Sequence, residues 1–124
     1  MYLLNTNTII DFLNAKLPLN ANELLFSIEP KISFITRIEL FSSSKISETE
    51  LISLNDFINI VTVLDNITTE IISICIELRK KYKLKLPDAL IAATAINNDL
   101  ILLTRNEKDF ENVQELKFIN PYKL

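Results

Sequence analysis

Apolar residues along this chain follow two rhythms. Short runs rich in Leu, Ile and Val read as buried strands: Tyr2-Leu3-Leu4, Ile32-Ser33-Phe34-Ile35, Ile60-Val61-Thr62-Val63-Leu64, Leu100 to Leu103, and Leu116 to Ile119. Between them, apolar positions recur at helical spacing. Asn5-Thr6-Asn7 can cap a helix running through Ile9, Ile10 and Leu13, and a second helix covers Ala21 to Ile28, stopping before Pro30. Further helical segments fall around Glu39 to Phe41, from Ser47 to Ile58, and from Thr68 to Lys81, whose basic end suits the helix dipole. Pro87 opens a helix that is apolar nearly all round from Ala89 to Ile96, as a deeply buried element must be.

Strands that alternate with helices imply right-handed crossovers and a sheet covered on both faces. The expected architecture is α/β, a three-layer sandwich around a central, mainly parallel five-stranded sheet. No repeat, linker or low-complexity tract interrupts it, so residues 1–124 read as a single domain. In such folds the site lies outside the carboxyl ends of the strands. That rule singles out Asn5, Glu39, Thr104, Asn106 and Asp109, joined by Asp88 in the first turn of the most buried helix.

Composition then removes whole classes of chemistry. The 124 residues are 48% hydrophobic, which suits a globular protein, and no apolar run approaches the ~18 residues of a membrane span. The N-terminus shows no signal-peptide pattern, so a soluble cytoplasmic protein with no membrane association is expected. Cys75 lies in an apolar helical pattern and reads as a buried core thiol in a reducing compartment. With zero His there is no Ser-His-Asp triad and no imidazole ligand, and with zero Gly there is no Walker loop or Rossmann fingerprint. Catalysis is left to carboxylates, hydroxyls, amides and Lys or Arg, and carboxylates point to a hard metal such as Mg²⁺ or Mn²⁺. Turns must use other residues, and Asn97-Asn98-Asp99 marks a helix end where Asn best tolerates left-handed backbone.

Each acidic candidate also has a structural reading. Thr36-Arg37-Ile38-Glu39 has capping-box form, and Asp88 after Pro87 sits where a helix dipole favours an anion. Asn5-Thr6-Asn7 and Asn106-Glu107-Lys108-Asp109 can both be caps. Their shared place at one end of a parallel sheet favours a second reading. Clustered carboxylates repel one another, and a divalent cation between them relieves that repulsion.

Four segments carry a family resemblance. YLLNTNTIIDFL at the N-terminus resembles the opening signature of PIN-domain proteins, YLLDTNVLIDFL, apart from Asn5. SFITRIEL resembles the second motif with its glutamate at Glu39, LKLPDALIAATA the third with Asp88, and LLTRNEKDF the fourth with Thr104, Asn106 and Asp109. The motifs fall in family order and span the chain. Within the family the chain is most similar to the toxin ribonucleases of VapBC toxin–antitoxin pairs. The resemblance implies an endoribonuclease dependent on Mg²⁺ or Mn²⁺ that cuts RNA of the translation machinery, such as transfer RNA. It implies a VapB-like antitoxin as partner, a homodimer, and contact with operator DNA only through the antitoxin. By the same resemblance Asn5, Glu39, Asp88 and Asp109 are the catalytic set and metal ligands. Asn106 joins the ligands directly or through water, with Asn7 and Thr104 in support.

Asn5 is the departure. An amide oxygen can touch Mg²⁺ but brings no charge, and its NH₂ end repels a cation. The expected outcome is a weakened or inactivated nuclease. A catalytically degenerate PIN-like binding module that holds an antitoxin or RNA without cleavage is the alternative. A carboxylate-metal phosphatase is disfavoured, because it would need an aspartate nucleophile where Asn5 stands. The net charge of −3 is unusual for a nucleic-acid binder, and Lys80, Lys81, Lys83 and Lys85 read as a solvated helix end. Arg37 and Arg105 flank the acidic positions and are the candidates for gripping a substrate phosphate.

Overall fold

The computed structural model describes residues 1–124. Its elements run β1 (Tyr2–Leu4), α1 (Thr6–Leu13), α2 (Leu19–Ser27), β2 (Lys31–Ser33), α3 (Phe34–Phe41), α4 (Glu48–Ile60) and β3 (Thr62–Leu64). They continue with α5 (Thr69–Lys81), α6 (Leu86–Asn97), β4 (Ile101–Leu103), α7 (Glu107–Phe110) and β5 (Phe118–Ile119), and a 3₁₀ turn at Pro121–Lys123 closes the chain. The five strands form one sheet in the order β3-β2-β1-β4-β5. Every pairing is parallel, with Leu3 opposite Leu102 across β1 and β4, and Ile32 opposite Val63 across β2 and β3. The sheet is therefore wholly parallel rather than mainly so.

Strand alternation builds two cores. Leu3 and Leu102 enter one with Ile71, Cys75 and Leu78 of α5 and the buried run of α6. Their neighbours Leu4 and Leu103 enter the other with Ile9 of α1, Ala21 and Leu25 of α2 and Leu54 of α4. Helices cover both faces, giving the expected three layers. On α6, Ala89, Ala92, Ala93 and Ala95 are fully buried. These small side chains let α5 and the sheet approach the helix backbone closely, and a helix apolar all round needs such neighbours.

The structure moves several expected boundaries. Phe34 and Ile35 begin α3 rather than ending a strand, because the buried Ser33 side chain accepts from Thr36 N at 3.1 Å and starts the helix there. Ser33 is thus the cap, not Thr36, and Glu39 sits mid-helix. Helix α4 runs on through Ile60, and β3 starts at Thr62, where pairing with Lys31 begins. Leu100 precedes β4: its N–H closes the end of α6 on the Ala95 carbonyl at 2.8 Å. Strand β5 is only Phe118–Ile119, not Leu116 onward. In the turn after α6 the left-handed residue is Asp99 (φ 52°), while Asn98 keeps φ at −99°. Ala15 is also left-handed at φ 55°, a position where a β-carbon costs ~1 kcal/mol and glycine is the usual occupant.

Candidate active site

The strand order reverses direction beside β1, between β1 and β4, where open parallel sheets leave a crevice at their carboxyl ends. Asn5 follows β1 and Thr104 follows β4, so the topology places them side by side. Asn5 is buried, and its side chain does two jobs. The Oδ1 atom accepts from Thr6 N at 2.9 Å and caps α1, while Nδ2 donates to Thr104 Oγ1 at 2.8 Å. Two further donors reach the same buried hydroxyl: Asn7 Nδ2 at 3.3 Å and Asn106 N at 3.1 Å. Asn7 is oriented by Arg105 N, which donates to its Oδ1 at 3.3 Å.

This arrangement overloads Thr104. A hydroxyl has two lone pairs and one proton to give. Here three N–H groups point at Oγ1, and no protein atom accepts its proton. Turning the Asn5 amide over would only move the fault, because NH₂ would then face the Thr6 N–H. A carboxylate at position 5 resolves both ends: one oxygen caps α1 and the other accepts the Thr104 proton. The pocket around Asn5 has the hydrogen-bond complement of an aspartate.

The acids approach from three other elements. Glu39 is on α3 with its side chain exposed, and Oε1 accepts from Thr6 Oγ1 at 2.6 Å. The Thr6 hydroxyl lies 3.2 Å from that of Thr36, which in turn meets Ser33, so a row of hydroxyls backs this acid. Asp88 stands half-buried in the first turn of α6. Burial pushes its carboxyl above the usual aspartate value, Asp109 and then Glu39 push it further, and Lys85 partly opposes them. Asp109 is exposed on α7, next to the fully buried Phe110 that pins this short helix to the core. Asn106 stands at the start of α7 without a side-chain capping bond, leaving its amide free of that structural duty.

Glu39, Asp88 and Asp109 thus share one electrostatic field, although no three acidic side chains form a ready-made metal cage. The donor set is hard oxygen throughout. A negative field that raises one member's proton affinity is a field that a divalent cation relieves, so the chemistry of these residues suits a hard divalent cation. The two arginines are differently employed. Arg37 pairs with Asp65 at 3.1 Å, both about half exposed. Arg105 NH1 bonds Asp11 at 2.8 Å, and the Tyr122 hydroxyl donates to the same carboxylate. That bond holds the Tyr122 hydroxyl above the usual phenol value. Thr6, Asp11 and Tyr122 are absent from the sequence-based site. Only Thr6 left a signal, its place beside Asn5; the other two meet across 111 positions of sequence.

The family model for the PIN domain matches residues 2–116. Among solved structures, the chain is similar to one in a toxin–antitoxin complex from Klebsiella pneumoniae, with 32% identity, full coverage of both chains and a TM-score of 0.81. It is similar to a chain of the DNA-bound VapBC from Salmonella typhimurium, with 28% identity, 97% of each chain covered and a TM-score of 0.82. Similarity extends to VapBC2 from Rickettsia felis bound to a DNA fragment from its promoter, at 27% identity and a TM-score of 0.80, covering 96% of this chain and 97% of that one. No curated protein matched the sequence.

Proposed function

The chain belongs to the PIN-domain family, and from that premise we propose that it is a VapC-like toxin ribonuclease, dependent on Mg²⁺ or Mn²⁺ and weakened by Asn5. The observation that carries this reading is the field shared at Asp88: Asp109 of α7 and Glu39 of α3 both act on this half-buried acid of α6, while Asn5 and Thr104 join the ends of β1 and β4. Glu39, Asp88 and Asp109 would hold the metal, with Asn106 contributing directly or through water. A bound divalent ion supplies phosphate polarisation and a water of lowered pKa. The chain's own residues set the stage. Thr6 orients Glu39, Thr104 ties the β4–α7 loop to α1, and Arg105, in the loop that carries Asn106 and Asp109, is half exposed and would take a phosphate of the RNA. Arg37, paired with exposed Asp65, is a second phosphate contact once that weak pair opens.

As a VapC-like toxin, the chain acts as one domain over residues 1–124, in the cytoplasm and as a homodimer. It cleaves transfer-RNA-like RNA and is restrained by a VapB-like antitoxin that supplies contact with operator DNA. The toxin–antitoxin and DNA-bound complexes among its structural relatives support that partner. No helix is long and apolar enough to cross a membrane.

Asn5 favours a second reading, a binding module that no longer cuts. A cleavage assay on transfer RNA with Mg²⁺ separates the two. Asn5→Asp is expected to switch on cleavage that Glu39→Gln then abolishes, and an inert Asn5→Asp protein that still binds antitoxin or RNA would replace the nuclease with the binding module.

A further inference from the structure

Asp11 is the only charged residue in the protein's interior, with 4% of its surface exposed. A lone buried carboxylate is costly, so its partners matter. They are Arg105, bonded through NH1 at 2.8 Å, and the Tyr122 hydroxyl. Arg105 belongs to the loop that carries Thr104, Asn106 and Asp109. Its side chain is about half exposed, with NH1 on Asp11 and the Tyr122 hydroxyl beside it. Tyr122 belongs to the final turn. That turn is stitched to the same region by Lys123, which meets Glu107 of α7 at 2.7 Å.

We infer that Asp11 and Tyr122 form a latch that positions Arg105, turning the free edge of its guanidinium toward an RNA phosphate and fixing the β4–α7 loop. The geometry explains why a buried acid is kept here: with a carboxylate gripping one nitrogen, the planar fork loses its rotational freedom and still has donors to offer. The C-terminal turn thereby becomes part of the substrate-binding apparatus without touching substrate. The phosphate half of this inference rests on the nuclease reading; the latch itself does not.

The test is a double-mutant cycle between Tyr122→Phe and Arg105→Gln in the Asn5 protein as it stands, whose weak cleavage permits equilibrium binding. Tyr122→Phe removes one hydroxyl from a partly exposed ring and so retains the fold, whereas Asp11→Asn would alter a buried charge. Two readouts are taken: amide exchange of residues 104–110, and affinity for unfractionated transfer RNA against salt concentration. Either single variant is expected to speed exchange in this segment about tenfold, and the double variant to add nothing further. Each is also expected to weaken RNA binding about three- to tenfold and to lower the slope of log affinity against log salt by roughly 0.7, the loss of one phosphate contact. General loosening would weaken binding without changing that slope. Unchanged exchange in Tyr122→Phe, or fully additive effects, would overturn the latch. A non-additive exchange cycle in a protein that binds no RNA would uphold the latch and sink the nuclease reading instead.

Discussion

The two ends of α6 obey opposite rules. Its body, from Ala89 to Ala95, lies in an apolar core with Ile71, Cys75 and Leu78 of α5, where every contact adds stability and no charge intrudes. Its first turn carries Asp88 where burial and two other acids raise its proton affinity, and at the end of the neighbouring β4 Thr104 is offered more donors than it can accept. One helix thus spans a region optimised for folding and a region that folding alone does not explain. A core can hold such a crevice in place because it has stability to spare. The contrast makes a claim that can be broken: damage to the core should cost stability and leave chemistry intact, and changes in the crevice should alter chemistry with smaller effects on stability.

The largest effect belongs to the core. Leu78→Ala removes a side chain 1% exposed in the α5–α6 interface and should destabilise the fold by about 2–5 kcal/mol. Chemical denaturation measures it. Introduced beside Asn5→Asp, it should leave the cleavage rate per folded molecule unchanged. Next comes the crevice. Asn5→Asp should raise Mg²⁺-dependent RNA cleavage on the order of 100-fold, since even outer partners of a metal ligand are worth 10- to 100-fold. A rise under twofold in single-turnover assays would show that position 5 does not serve the metal.

The same division governs what could be read from the chain. The order of elements, the parallel sheet and the burial of α6 were legible because hydrophobic period and Pro87 carry that information locally. Motif resemblance named Asn5, Glu39, Asp88 and Asp109 as candidates, and the structure sets Asn5 against Thr104 and puts Asp88 in the field of Asp109 and Glu39. Boundaries were less legible: Ser33, not Thr36, caps α3, because both are hydroxyl residues and only the strand pairing chooses between them. Tertiary pairs were invisible. Nothing near Asp11 announces Tyr122, and nothing in Arg105 says that a buried carboxylate holds it. The acceptor demand of Thr104 is likewise a property of three segments at once.

A smaller effect sharpens the contrast at position 5 itself. Asn5→Asp gives Thr104 its missing acceptor, but it also adds charge to a buried position next to Thr6, the residue that holds Glu39. In EDTA the repulsion and desolvation should outweigh the gained bond by about 1 kcal/mol at neutral pH. With Mg²⁺ at 100 times its dissociation constant, binding contributes about 2.7 kcal/mol to the native state and should reverse the order. Thermal unfolding with and without metal reads both signs. An Asn5→Asp protein that is more stable in EDTA would mean that the Thr104 bond dominates, and that position 5 is a structural cap first.

The smallest effect is the most specific to Asp88. Its folded carboxyl has a raised pKa, so the native state holds that proton more tightly than the unfolded chain does. By linkage, Asp88 then opposes folding above its folded pKa; this penalty is relieved as pH falls through that value and is gone below the ordinary aspartate pKa of about 3.9. Asp88→Asn should therefore stabilise the metal-free protein at neutral pH, within the ~0.5 kcal/mol usual for a partly exposed site. The gain should shrink as pH falls through the folded pKa of Asp88, because the parent's carboxyl takes up its proton and becomes equally neutral. Glu39→Gln and Asp109→Asn should each shrink the gain, since both acids feed the repulsion that Asp88→Asn removes. Tm measured from pH 7 to pH 4 for the parent and these variants gives the curve. A gain that persists unchanged at pH 4 would trace to packing or to helix propensity, and the electrostatic link between the three acids would be lost with it.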